Sequence, residues 1–97
     1  MNRPVTLRPQ AKADLRRGHD WYEERCPGLG GEFLAAHAEA LLRLETDPER
    51  FPLYYRGFRR VLTHRFPYKI FFRIEARDII VLRILHGAQE HQRELNR

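Results

Sequence analysis

Basic side chains crowd the second half of this 97-residue chain, and they are the residues best placed to do chemistry. Arg59, Arg60 and Arg65 form the densest cluster, followed by Lys69, Arg73, Arg83 and Arg93. Residues 56–97 hold ten Lys/Arg against four Asp/Glu, a balance of +6; residues 1–55 hold eight against nine, a balance of −1. All the cations except Lys12 and Lys69 are arginines, whose planar fork suits bidentate contact with carboxylate or phosphate. Such a half-chain predicts either a nucleic-acid or ribosomal surface or an acidic protein partner. The plainer alternative is a solvated strand edge.

Other residues that carry chemistry offer less. His86 closes an apolar run, where a hydrogen-bonded structural role competes with proton transfer. His37 falls on an apolar helical stripe and reads as packed, whereas His64 and His91 stand in polar sequence and read as solvated. His86 and His91 have no further ligands nearby and Cys26 is alone, so neither a metal site nor a cofactor is expected. Cys26 has only Arg25 beside it to lower its thiol pKa, which gives no reason to expect nucleophilic catalysis. A single cysteine agrees with a reducing compartment. No apolar run reaches the roughly 20 residues that span a bilayer, and Met-Asn-Arg-Pro-Val has no apolar leader. A cytoplasmic protein without membrane contact is expected.

These side chains need a scaffold, and 97 residues suffice for one domain, 1–97, with a single core. Tyr68–Ile74 and Ile79–His86 are two β-rich runs around the polar break Glu75–Asp78, predicting a hairpin. With no Gly for a primed two-residue turn, a loop of three or more residues is expected. Glu75 then faces Ile79. Ile70, Phe72 and Ile74 oppose Ile84, Leu82 and Ile80 on one face, leaving Lys69, Phe71, Arg73, Val81, Arg83 and Leu85 on the other. Upstream, Pro4–Arg8 reads as an edge strand. Ala11, Leu15, Gly18 and Tyr22, with Trp21 beside them, mark a first helix. Glu32–Thr46 marks a second, with the stripe Phe33, Leu34, His37, Ala38, Leu41, Leu42 and Leu44. Asp47-Pro48 stops it. Glu49–Gly57 reads as a loop, Phe58–Thr63 as a strand and the tail from Gly87 as a frayed end, with a helical turn as the alternative. The order β-α-α-β-β-β predicts an α+β fold, a helical hairpin on one face of a small antiparallel sheet.

With both helices on the Ile70 side, Phe71, Val81 and Leu85 would form an exposed apolar patch ringed by Lys69, Arg73 and Arg83. Such a patch marks an interaction site, here for an acidic amphipathic segment. A homodimer contact, or cover from the chain's own tail, would explain it equally.

Several features together are similar to a known superfamily: Ala11-Lys-Ala-Asp-Leu15, Asp47-Pro48 followed by Gly57-Phe-Arg-Arg60, and the run from Tyr68 to Ile74 leading into Ile79–His86. They resemble, over nearly the whole chain, the RelE/ParE toxins of bacterial type II toxin–antitoxin modules. The RelE branch cleaves mRNA on the ribosome, which needs a general base, a general acid and cations for the phosphate. Its implied set here is Arg60, Lys69, Arg73 and His86. The arginine that branch carries past the last strand falls near Ala88 or Gln89 and is missing, and Leu95 stands where a tyrosine is usual. The Arg83-Ile-Leu-His86 ending and polar tail look more like the ParE branch, which inhibits DNA gyrase by binding and needs no catalytic group. That resemblance implies a cognate antitoxin, acidic and partly disordered until bound, in a hetero-oligomer. The implied contact residues, for target or antitoxin, are Arg59, Arg60, Lys69, Phe71, Arg73, Val81, Arg83, Leu85, Gln89, His91 and Arg93.

Overall fold

The computed structural model describes residues 3–87, 89 and 91–96. Helix α1 (Pro9–Arg25) starts on a proline, whose fixed φ suits a first helical position. It ends where Cys26 precedes Pro27. Helix α2 (Leu29–Thr46) starts three residues earlier than its apolar periodicity suggests, because Gly28 takes the left-handed conformation (φ 92°) and turns the chain in one step. The amides of Gly28 and Gly30 donate to the Glu23 carboxylate at 3.0 and 2.9 Å, so α1 supplies the anion that caps α2. These bonds hold Glu23 below the usual carboxylate range. At Gly18 an added Cβ would overlap the Phe33 ring, so this glycine sets how closely the helices approach.

The two helices pack on one face of a five-stranded sheet of order β1-β5-β4-β3-β2. Strand β1 (Val5–Leu7) runs parallel to β5 (Asp78–His86), and the remaining pairs are antiparallel. Strands β3 (Phe58–Leu62) and β4 (Tyr68–Glu75) complete the centre. Three expectations need correction. The segment 49–57 is not all loop: it starts within a 3-10 turn (Pro48–Arg50) and holds the edge strand β2 (Leu53–Tyr55), so the order as far as β5 is β-α-α-β-β-β-β. The tail forms a further helix, α3 (His91–Leu95), with His91 buried rather than solvated. The β4–β5 loop has two residues, with Glu75 facing Asp78 and Ala76 at φ 54°.

That tight turn shifts the register at the tip by one. Ile74 faces Ile79 and Phe72 faces Val81, while Phe71 faces Arg83 and Ile70 faces Ile84 as expected. The bulge at Leu82 absorbs the difference. Val81 therefore joins Ile70, Phe72, Ile79 and Ile84 in the core beneath the helices, and Ile80 stands opposite Arg73 on the outer face. Ala11, Ala40 and Leu44 meet this surface from the helix side. Trp21, beside the buried stripe of α1, is 50% exposed, and Leu34 and Leu42, on the predicted stripe of α2, also face solvent.

Candidate functional site

The outer face of the sheet gathers the cations. Alternation along β3 and β4 places Arg60 beside Phe71 and Leu62 beside Lys69. The Arg60 guanidinium lies 4.2 Å from the centre of the Tyr54 ring, and that of Arg73 lies 4.6 Å from the centre of Phe58. Stacking on rings holds both side chains out from the sheet without neutralising them. Arg73 also stands 3.6 Å from the Glu75 carboxylate. Arg60, Lys69 and Arg73 thus share one surface, with exposed Leu62 and half-buried Ile80 between them.

The apolar middle of that face is already covered. Helix α3 lies on it, with His91 edge-on to Phe71 at 5.1 Å and its Nε2–H donating to the His86 carbonyl at 3.0 Å. Phe71 and Leu85 are 0% exposed. Tyr55 and Asn96 hydrogen-bond beyond the helix. The exposed patch expected from Phe71, Val81 and Leu85 is absent in the isolated chain: its own tail covers two of them, and the bulge sends Val81 to the other side.

Arg83 has a different task from the one expected. Strand β1 stops at Leu7, and its last bond to β5 runs from the Arg8 amide to the Val81 carbonyl. The next outward amide, that of Ile84, donates to Asp14 Oδ2 at 2.9 Å. Arg83 starts beside Phe71, passes the sheet edge and holds the same carboxylate, Nε to Oδ2 at 2.7 Å and NH2 to Oδ1 at 3.0 Å. Arg17 donates to Oδ1 as well. Through NH1, Arg83 reaches the carbonyl and carboxylate of Glu94 at 3.2 and 3.3 Å, tying α3 down. Its hydrogen bonds to Asp14 raise its pKa further. Arg83 is an internal ion-pair residue, not a surface contact.

The other candidates scatter. Arg59 points to the helix side, where it donates to the carbonyls of Phe51 and Glu49 at 2.6 and 3.3 Å and clamps the turn before β2. His86 lies across the sheet from Arg60, Lys69 and Arg73, its ring edge-on to Tyr68 at 5.2 Å. The residues implied for RNA cleavage are therefore not assembled around one point. Gln89 Oε1 accepts the His86 amide at 2.8 Å, and Arg93 is exposed on α3. His37 is packed as expected, its Nδ1–H donating to the Phe33 carbonyl at 2.9 Å, and burial lowers its pKa. Among the described residues no group of three His, Cys, Asp or Glu could hold a metal ion. None of their helices is long and apolar enough to cross a membrane. Two participants, Asp14 and Glu94, are not among the residues that the sequence singles out. Asp14 carried a signal, since it falls between Ala11 and Gly18 on the buried stripe of α1; Glu94 had none.

Comparison with known proteins agrees with this architecture. Residues 5–91 match the family described as the ParE toxin of the type II toxin–antitoxin system parDE. No curated protein sequence matches the chain. Among solved structures, a chain of the chromosomal ParDE toxin–antitoxin system from P. aeruginosa superposes with a TM-score of 0.78 at 23% identity. That match covers 87% of this chain and 95% of that one. A chain of the RelBE2 toxin–antitoxin complex from Mycobacterium tuberculosis gives 0.63 at 24% identity, covering 89% and 99%.

Proposed function

The chain belongs to the ParE toxin family of type II toxin–antitoxin systems, and from that premise we propose that it inhibits DNA gyrase by binding it and is neutralised by a cognate antitoxin. The observation that carries this reading is the family match, which runs from β1 to the first residue of α3 and so takes in both long helices and all five strands. Within the fold, the outer face supplies a recognition surface: three cations project from rigid strands around a tail helix, a layout suited to carboxylate-rich protein. The antitoxin is accordingly an acidic polypeptide that gains order on this face.

Inhibition by binding needs no proton-transfer group. The ribosome-dependent mRNA endonuclease reading is favoured by the shared face of Arg60, Lys69 and Arg73, but it has to do without His86, which the sheet separates from them.

The test is gyrase supercoiling with purified protein, scored for lost supercoiling and for stabilised cleaved DNA. Inhibition with intact cellular mRNA during expression is the expected result. Unimpaired gyrase together with transcripts cut at ribosomal A sites would transfer the assignment to the endonuclease.

A further inference from the structure

On the helix side, beyond the end of β1, α1 and the uncovered edge of β5 enclose a cleft of about 340 Å3. Its aromatic walls are Trp21, Tyr22 and Tyr68, with Arg17 and Gln89 at its rim and Asp14 behind them. The cleft takes no part in the cationic outer face, and a cavity of this size is in the range that holds a small ligand.

His86 also lines the cleft, and apart from its ring the polar groups are donors or are already engaged. A carboxylate has about four lone-pair positions, and Asp14 uses four, on Arg17, on Arg83 twice and on the Ile84 amide. Gln89 Oε1 is engaged by the His86 amide, leaving its NH2 as the outward group. Arg17 spends one N–H on Asp14, and its side chain is otherwise 68% exposed. The Tyr22 and Tyr68 hydroxyls have no hydrogen-bond partner among the described residues. Burial, with Tyr22 and Asp14 nearby, raises the Tyr68 pKa and keeps its proton in place to donate. The two phenol rings lie 6.3 Å apart, and Trp21 stands edge-on to Tyr22 at 4.9 Å. The walls therefore offer π surface and the rim offers N–H and O–H donors.

We propose that this cleft is a binding site for a planar ring bearing an anionic group, with the ring against Tyr22 and Tyr68 and the anion on Arg17 and the phenol hydroxyls. Nucleoside monophosphates and the carboxylates of aromatic amino acids share that chemistry. The proposal does not rest on the gyrase or antitoxin reading.

Trp21 is the only tryptophan, so its fluorescence reports on the cleft directly. The full chain is titrated with AMP and with N-acetyl-tyrosine, using adenosine, N-acetyl-tyrosine amide and inorganic phosphate as controls. Amide shifts are mapped by NMR in parallel. Saturable binding of an anion-bearing ring is expected, with shifts centred on Gly18, Ile84 and His86 and little response to the controls. Loss of one hydrogen bond to a charged group is worth about a tenfold change in affinity, so Arg17→Gln and Tyr68→Phe should each weaken binding about that much while remaining folded. Response to AMP alone assigns the phosphate-bearing source, response to N-acetyl-tyrosine alone the carboxylate, and response to both the shared chemistry. The proposal is overturned if neither anion saturates, if a control binds equally well, if the shifts centre on Arg60 and Lys69, or if both variants bind as the parent does.

Discussion

Replacing Asp14 with alanine should cost more stability than any other single charge removal in this chain. Its side chain is 3% exposed and that of its partner Arg83 10%, so water cannot replace what is lost. Removing one member of a buried pair leaves the other charge desolvated and costs about 3–5 kcal/mol. Here the Ile84 amide at the sheet edge also loses its acceptor. A domain of this size has about 5–15 kcal/mol in total, so the loss is a large fraction of it. With a urea slope of about 1.5 kcal/mol/M, the unfolding midpoint read by far-UV circular dichroism should drop by about 2–3 M. The double variant Asp14→Leu with Arg83→Met should be better than the sum of the singles by about 2 kcal/mol, because neither charge is left alone. A loss below about 1 kcal/mol for Asp14→Ala, or singles that add within about 0.5 kcal/mol, would refute the assignment of this pair as the link between α1, β5 and α3.

Three further outcomes follow from other contacts. Glu23 titrates lower in the folded chain than its ordinary 4.5 because two amides bind its charged form; its stabilisation is present above that pH and fades as pH falls through the folded value. The stability gap between parent and Glu23→Gln, measured by thermal melts, should thus narrow on acidification, and a constant gap would contradict the cap. His37 is depressed from 6.5 by burial, so folding is opposed as pH drops below 6.5 and the unfolded chain takes up the proton first. His37→Met, which also removes the unpartnered buried Nε2, should flatten that loss in acid melts and change stability at neutral pH by less than about 1.5 kcal/mol. On the outer face, Arg60→Glu with Lys69→Glu should leave stability within about 0.5 kcal/mol while weakening capture of an acidic antitoxin. Phe71→Ala, at a buried position, should instead cost about 3–5 kcal/mol in urea unfolding; equal stability would place Phe71 outside the core.

The parts legible in the sequence are those with long, one-sided patterns. Alternation in Tyr68–Glu75 fixes which β4 residues face the helices, and the stripe Phe33, His37, Leu44 finds the buried side of α2. The tip of the hairpin was not legible, because Ala76 adopts positive φ where residue preference points to Gly. From that one turn follow the bulge at Leu82 and the exchange of Val81 for Ile80 between faces. Strand β2 was hidden because Pro52 and two adjacent tyrosines carry no alternation, and α3 because five residues cannot form a helix without tertiary contacts. Of the candidate site, spacing alone places Lys69 and Arg73 on one face, and Arg60 joins them only through the pairing of β3 with β4. Arg83 was misplaced because a partner 69 residues away leaves no local trace.

That same separation has a kinetic consequence. Asp14 sits near the start of the chain and Arg83 near its end, so the helical hairpin can form early from local contacts, but its carboxylate has only Arg17 for a partner until β5 brings Arg83 and the Ile84 amide. Docking of the helices and addition of the last strand are therefore one event rather than two. The loop closed in that event spans 69 of the 97 positions, which predicts slow, cooperative folding for so small a domain, with the α1–β5 contact formed late.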